Sequence, residues 1–116
     1  MAVGQPAEAE THLRLALSLN PENSHALLGL ANLAIGRRDF QDAEGRLLEV
    51  VALDPNDVEA NFNLGALYFQ SLDRPAAAAR YWQRFVELQP EDPESARIRQ
   101  LLETIEAKPA PPAPPT

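Results

Sequence analysis

Three prolines, Pro21, Pro55 and Pro90, each close a similar run of helix-forming residues, and they recur at spacings of 34 and then 35 residues. A fixed period of this size is the mark of stacked helical hairpins, in which no unit can bury its own apolar face and each must be covered by its neighbours. The copies align internally. Ala9, Leu13, Ala16 and Leu19 fall in register with Ala43, Leu47, Val50 and Leu53, and with Ala78, Trp82, Phe85 and Leu88, each set ending two residues before its proline. Chains built this way are expected to bind rather than to catalyse.

The segments upstream of these runs match as well, with Leu27, Leu30, Ala31 and Ala34 over Asn61, Leu64, Gly65 and Tyr68. Leu27, Leu30 and Ala34, like Leu64, Leu67 and Tyr68, fall at three- and four-residue steps that line one face of a helix. Asp39 and Asp73 sit where helix caps are wanted, Pro75 suits a first turn, and Asp54-Pro55 forces the chain out of helix. Ala31 and Gly65 are expected to face Ala43 and Ala78, letting two helices approach closely. The pattern predicts six helices, over about 6–19, 24–36, 39–53, 58–70, 75–88 and 94–106.

These residues resemble the tetratricopeptide repeat family. Its pattern of a large residue, Leu-Gly and Tyr on a first helix, then Ala, an aromatic, Ala and Pro on a second, is met by Asn61, Leu64-Gly65, Tyr68, Ala78, Trp82, Phe85 and Pro90. It is met more loosely by Leu27, Leu30-Ala31, Ala34, Ala43, Leu47, Val50 and Pro55. The resemblance covers roughly residues 7–105 and implies an all-α, right-handed superhelix of antiparallel hairpins. Its expected parts are a start over 1–5, a partial repeat over 6–21, full repeats over 24–55 and 58–90, a capping helix over 93–107 and a proline-rich tail over 108–116. The first helix of each hairpin then lines a concave, ligand-binding surface. His25, Leu28, Asn32 and Ile35 belong to it, followed by Glu59, Phe62, Asn63, Ala66, Phe69 and Gln70, and then by Glu94, Arg97 and Leu101. Such a surface suits a peptide or a partner helix with apolar anchors. The competing expectation for Phe62 and Phe69 is that they pack beneath neighbouring side chains.

Composition narrows the alternatives. The 116 residues make one domain, and without cysteine there is neither a disulfide nor thiolate chemistry. A net charge of −7 argues against nucleic acid, which needs clustered Lys and Arg. No apolar run approaches the length of a membrane span, and the first residues lack the pattern of a signal peptide, so the expectation is a soluble chain, cytoplasmic by default. His12 and His25 are the only histidines and have no partners at triad or metal-ligand spacing, so the expectation is no enzyme, no metal and no cofactor. The tail from Lys108 carries a minimal PxxP spacing from Pro109 to Pro112, but reads as a disordered linker.

Three finer expectations follow. Some family members hold the acidic C-termini of chaperones with a carboxylate clamp, and Asn32 and Asn63 occupy two of its positions. Leu28, Glu94 and Ile98 stand where its cations belong, so this chain is expected not to use it. Helix 94–106 is expected to cap the array, with Gln100 at the close-approach position and Arg97, Glu103 and Glu106 on a wet outer face, so that its loss bares Tyr68, Trp82 and Phe85. At the other end Leu15 takes the register of Glu49 and Arg84, and with Leu13, Leu17 and Leu19 leaves its helix apolar around much of its girth. Such a helix expects cover, from a preceding helix of a longer repeat protein or from a second copy in a homodimer or stacked assembly.

Overall fold

A computed structural model describes residues 6–107; the expected disordered start and proline-rich tail lie outside them. The described residues form helices α1 (Pro6–Leu19), α2 (Ser24–Gly36), α3 (Phe40–Leu53), α4 (Val58–Ala66), α5 (Pro75–Leu88) and α6 (Pro93–Ala107), with a π-helical segment, Leu67–Ser71, continuing α4. Each helix packs on the next in sequence, the tightest pairs being the hairpins α2 with α3 and α4 with α5.

The recurring proline is explained by the turn it builds. In Asn20-Pro21-Glu22-Asn23 the amide of Asn23 donates to the Asn20 carbonyl at 3.0 Å, and Asp57 to Asp54 and Asp92 to Gln89 repeat this at 3.1 and 3.2 Å. Each is a four-residue turn with proline at its second position, where the fixed φ of the ring is already correct. The residue closing the turn also starts the next helix. Asn23 Oδ1 accepts from the amide of Ala26 at 3.0 Å and Asp57 Oδ1 from that of Ala60 at 2.9 Å, each cap contributing about 1 kcal/mol. Asn20 and Asp54 add a side-chain bond across the same turns, to Glu22 and Asn56.

The connections inside the hairpins differ from one another, and here the period changes from 34 to 35 residues. After α2, Asp39 N donates to Ala34 O at 2.8 Å and Arg38 N to Ile35 O at 2.9 Å, with Arg38 at φ 64°. This is a Schellman closure with arginine in the place usually given to glycine. The expected cap is present: Asp39 accepts from Asp42 N at 3.2 Å. After α4 the closing bond runs from Arg74 N to Tyr68 O at 2.7 Å, one residue wider, and Leu72 N reaches back to Leu67 O at 3.0 Å. The additional residue is therefore absorbed as a single π turn, the usual form of a one-residue insertion in a helix. It also overturns the expected cap at Asp73. That residue is displaced to φ 52°, and Arg74 starts α5 with no side-chain bond.

The core runs through the middle of the stack, from Leu27, Ala31, Ala34, Leu47 and Val50 to Leu64, Leu67, Trp82, Phe85, Ile98 and Leu102. Ala31 and Ala43 are fully buried, as the close-approach argument requires. Gly65, however, makes room for Trp82 as well as for helix approach: a Cβ there would fall on the indole ring. That ring is fixed by Nε1 donating to the carbonyl of Phe62 at 3.2 Å. Tyr68 faces away from α6. Its hydroxyl donates to Glu44 of α3 at 2.5 Å and its ring stacks on Tyr81 at 5.8 Å, so α6 is not what covers it. On α6 itself, Arg97, Gln100, Glu103 and Glu106 are exposed.

Two stability measurements test this packing. Gly65→Ala should destabilise by about 1–3 kcal/mol in urea unfolding, because overpacking against a fixed indole outweighs the gain of about 1 kcal/mol in helix propensity. Gly36→Ala, with nothing within 4 Å of the new methyl, should instead stabilise by about 0.5–1 kcal/mol. The second concerns Tyr68, whose phenol is pushed above its ordinary range by burial and then by the bond to Glu44. The neutral phenol is the form the fold favours, so this stability is complete below the unfolded value of about 10 and is lost as pH rises beyond it. Melting temperatures taken from about pH 8 to 11 should fall less steeply in Tyr68→Phe than in the parent.

Candidate functional site

The exposed sides of α2, α4 and α6 carry most of the expected binding residues, and two cavities join them. One is lined by Asn32, Ile35, Asn63, Ala66, Leu67, Gln70 and Ser71, between α2 and α4. The other is lined by Phe62, Ala66, Gln70, Trp82, Glu94, Arg97, Ile98 and Leu101, between α4 and α6. Ala66 and Gln70 line both, so the two hollows lie side by side, one on each side of these residues, along a surface that runs across three helices, called the groove below. A third hollow, lined by Phe69, Asp73, Pro75, Thr104 and Ile105, lies where α6 ends beside the π segment.

His25, Leu28 and Glu59 line none of these hollows; His25 and Glu59 are exposed and Leu28 is half-buried against the core. Phe62 and Phe69 stand between the two expectations for them. Both line a hollow, yet each is also packed, Phe62 on Phe85 with ring centroids 5.1 Å apart and Phe69 on Trp82 at 5.3 Å. They are therefore anchored walls rather than free side chains. The expected groove residues also left out Trp82, Leu67 and Ser71, and Ile98 entered only as a clamp position; Trp82 and Ile98, both buried, form the floor. The signal for Ser71 was the extra residue between Pro55 and Pro90, which rotates the end of α4.

A polar row crosses the groove. Asn63 Nδ2 donates to Asn32 Oδ1 at 3.3 Å, and Asn32 Nδ2 donates to Glu59 Oε2 at 3.2 Å. At the far rim Arg97 pairs with Glu94 at 3.4 Å. The three positions where clamp cations would belong hold half-buried Leu28, buried Ile98 and Glu94, already paired with Arg97. The groove thus combines apolar walls with linked amides and a neutralised charge pair. No group of three or more His, Cys, Asp or Glu among the described residues is placed to hold a metal ion.

A sequence model of the tetratricopeptide repeat matches residues 30–103, most of the chain and every residue that lines the two hollows of the groove. The chain belongs to the tetratricopeptide repeat family. No curated protein matches it in sequence. Among solved structures it is similar to the crystal structure of the Yersinia enterocolitica type III secretion translocator chaperone SycD in an alternative dimer form. The two share 22% identity over 90% of this chain and 82% of that one, with a TM-score of 0.74. At that identity the likeness shows the fold, which is the all-α hairpin array expected from the repeat. No helix among the described residues is long and apolar enough to cross a membrane.

On α1 the four leucines divide. Leu17 packs against the core, and Leu13 lies over Gly29, with a side-chain methyl 2.8 Å from where a Cβ would be. Leu15 and Leu19 point outward, 57% and 79% exposed. Glu10 ties the same helix to the α2–α3 turn, bonding Arg14 at 2.8 Å and Arg37 at 2.6 Å. The Arg14 bond first, and the nearby Arg37, hold its carboxyl below the usual range.

Proposed function

We propose that this chain is a non-enzymatic protein-interaction module that holds a peptide or partner helix in the groove across α2, α4 and α6. The observation that carries the reading is the pair of adjacent hollows on either side of Ala66 and Gln70, which would receive successive side chains of one ligand. Apolar anchors would sit against Ile35, Phe62 and Leu101, and the amides of Asn32, Asn63 and Gln70 would face polar groups of its backbone. A strongly acidic ligand is disfavoured because Arg97, the cation in these walls, is already paired with Glu94. The membership in a repeat family whose first helices form such surfaces supports the same reading.

The test is selection of binders from a random peptide display library, followed by affinity measurement. Ala66→Arg places a long side chain at the half-buried residue that lines both hollows. It should weaken the selected peptides by more than about tenfold, or about 1.4 kcal/mol, with unchanged helical content. Peptides that bind this variant as well as the parent would remove the groove from consideration.

A second reading, self-assembly through α1, is favoured by the exposure of Leu15 and Leu19, one helical turn apart on the same face. Either a helix of a longer chain covers them or a second copy does. Sedimentation across a hundredfold concentration range separates the two. Mutual burial predicts a monomer–dimer equilibrium that Leu15→Glu abolishes while the melting temperature of the repeats is kept, and a monomeric parent at all concentrations excludes it.

A further inference from the structure

On the side of the second helices, away from the groove, a cleft opens between α3 and α5, lined by Val51, Pro55, Asn61, Arg80, Tyr81 and Arg84. The repeat provides its own control for what the fold requires there. One period earlier, the positions of Asn61, Arg80 and Arg84 hold Leu27, Gly45 and Glu49. Leu27 is buried like Asn61, so packing alone is met by a leucine, and nothing in the architecture asks for two arginines four residues apart. The amide, the added cation and the reversed charge nonetheless meet in one cleft of a chain with net charge −7.

Their hydrogen-bonding state indicates what they lack. Asn61 is only 2% exposed, and its Nδ2 donates to the carbonyls of Pro55 at 3.0 Å and Asp57 at 2.8 Å. Both donors are spent, and among the described residues no donor is directed at its Oδ1. Arg80 makes no ion pair among the described residues and lies over the ring of Tyr81, 5.8 Å from its centroid. Tyr81 is in turn stacked on Tyr68. Arg84 reaches only Glu87, at 3.4 Å on a well-exposed face, a pair that contributes little. The cleft therefore offers two guanidinium forks beside one acceptor oxygen that has no protein donor among the described residues and stays open to solvent.

We infer that this cleft is a second binding site, which takes an acidic residue of an extended partner segment. The carboxylate lies on Arg80 and Arg84, and a backbone N–H next to it donates to Asn61 Oδ1. Val51, Pro55 and the Tyr81 ring receive the apolar neighbour. A peptide carboxylate fits better than a free phosphate because Asn61 Oδ1 asks for a donor beside the anion. The peptide supplies the N–H that a free anion lacks.

The probe is an N-acetylated, C-amidated pentapeptide with a central aspartate flanked by valines, titrated into the isotopically labelled chain and followed by NMR. Saturable shifts are expected at the Arg80 and Arg84 Nε–H groups and at the Asn61 side-chain amide, in Ala66→Arg as in the parent. Affinity should fall more than about tenfold for the asparagine analogue of the peptide and for Arg80→Gln/Arg84→Gln. Asn61→Leu, which restores the residue of the preceding copy, should weaken the peptide while leaving the response to acetate unchanged. Absence of saturation, equal binding of the asparagine analogue, indifference to the arginine changes, or full displacement by equimolar inorganic phosphate would each overturn the assignment. The arginines are exposed, so their replacement leaves the melting temperature as a check on folding.

Discussion

Everything in this array hangs on a four-residue turn that does two things at once. Proline at the second position bends the chain out of one helix, and the Asx residue at the fourth caps the next. Because the same residue ends the turn and begins a helix, the connection has no slack. Successive hairpins are set down at a fixed angle, and their apolar faces meet in register. A helix alone would be marginal at 13 or 14 residues; docking on both neighbours is what stabilises it.

A rigid turn between hairpins forces any change of length into the turn within a hairpin. That is where the second repeat takes its additional residue, and the π segment from Leu67 to Ser71 is the outcome. The insertion could have been pushed to the surface. Instead it faces the groove, bringing Gln70 and Ser71 to its wall and placing Phe69 against Trp82. The indole in turn depends on Gly65, so the floor of the groove and the close approach of α4 to α5 rest on the same pair of residues. Groove shape and repeat stability are coupled through that pair.

The fold was largely legible because its cause is periodic. Prolines, small residues and apolar steps recur, and a period is visible without coordinates. Six helices, most of their ends and the buried faces follow from it. The groove was legible in outline, since a helix face can be read from spacing, but the rotation of each helix cannot. Leu28 was thus placed on a wall when it turns toward the core. Trp82 was missed because a core aromatic of the second helix reaches between first helices only where a glycine lets it through. The cap expected at Asp73 failed because one inserted residue shifts every position between it and the next helix.

Asn61 stands in register with Leu27 and is buried as that leucine is, but this alone does not explain an amide there. Burying it costs free energy unless its donors are bonded, and they are, to Pro55 and Asp57 of the same turn that the repeat uses to start α4. The Asp57 carbonyl already accepts the backbone amide of Asn61, so the side chain adds a second clasp to a turn that works without it in the preceding copy, where leucine stands. The –NH2 of the amide thus has a structural use, while its oxygen is left over. An internal repeat makes that distinction visible: what both copies share belongs to the fold, and what one copy adds at a single cleft has to be accounted for by something outside it.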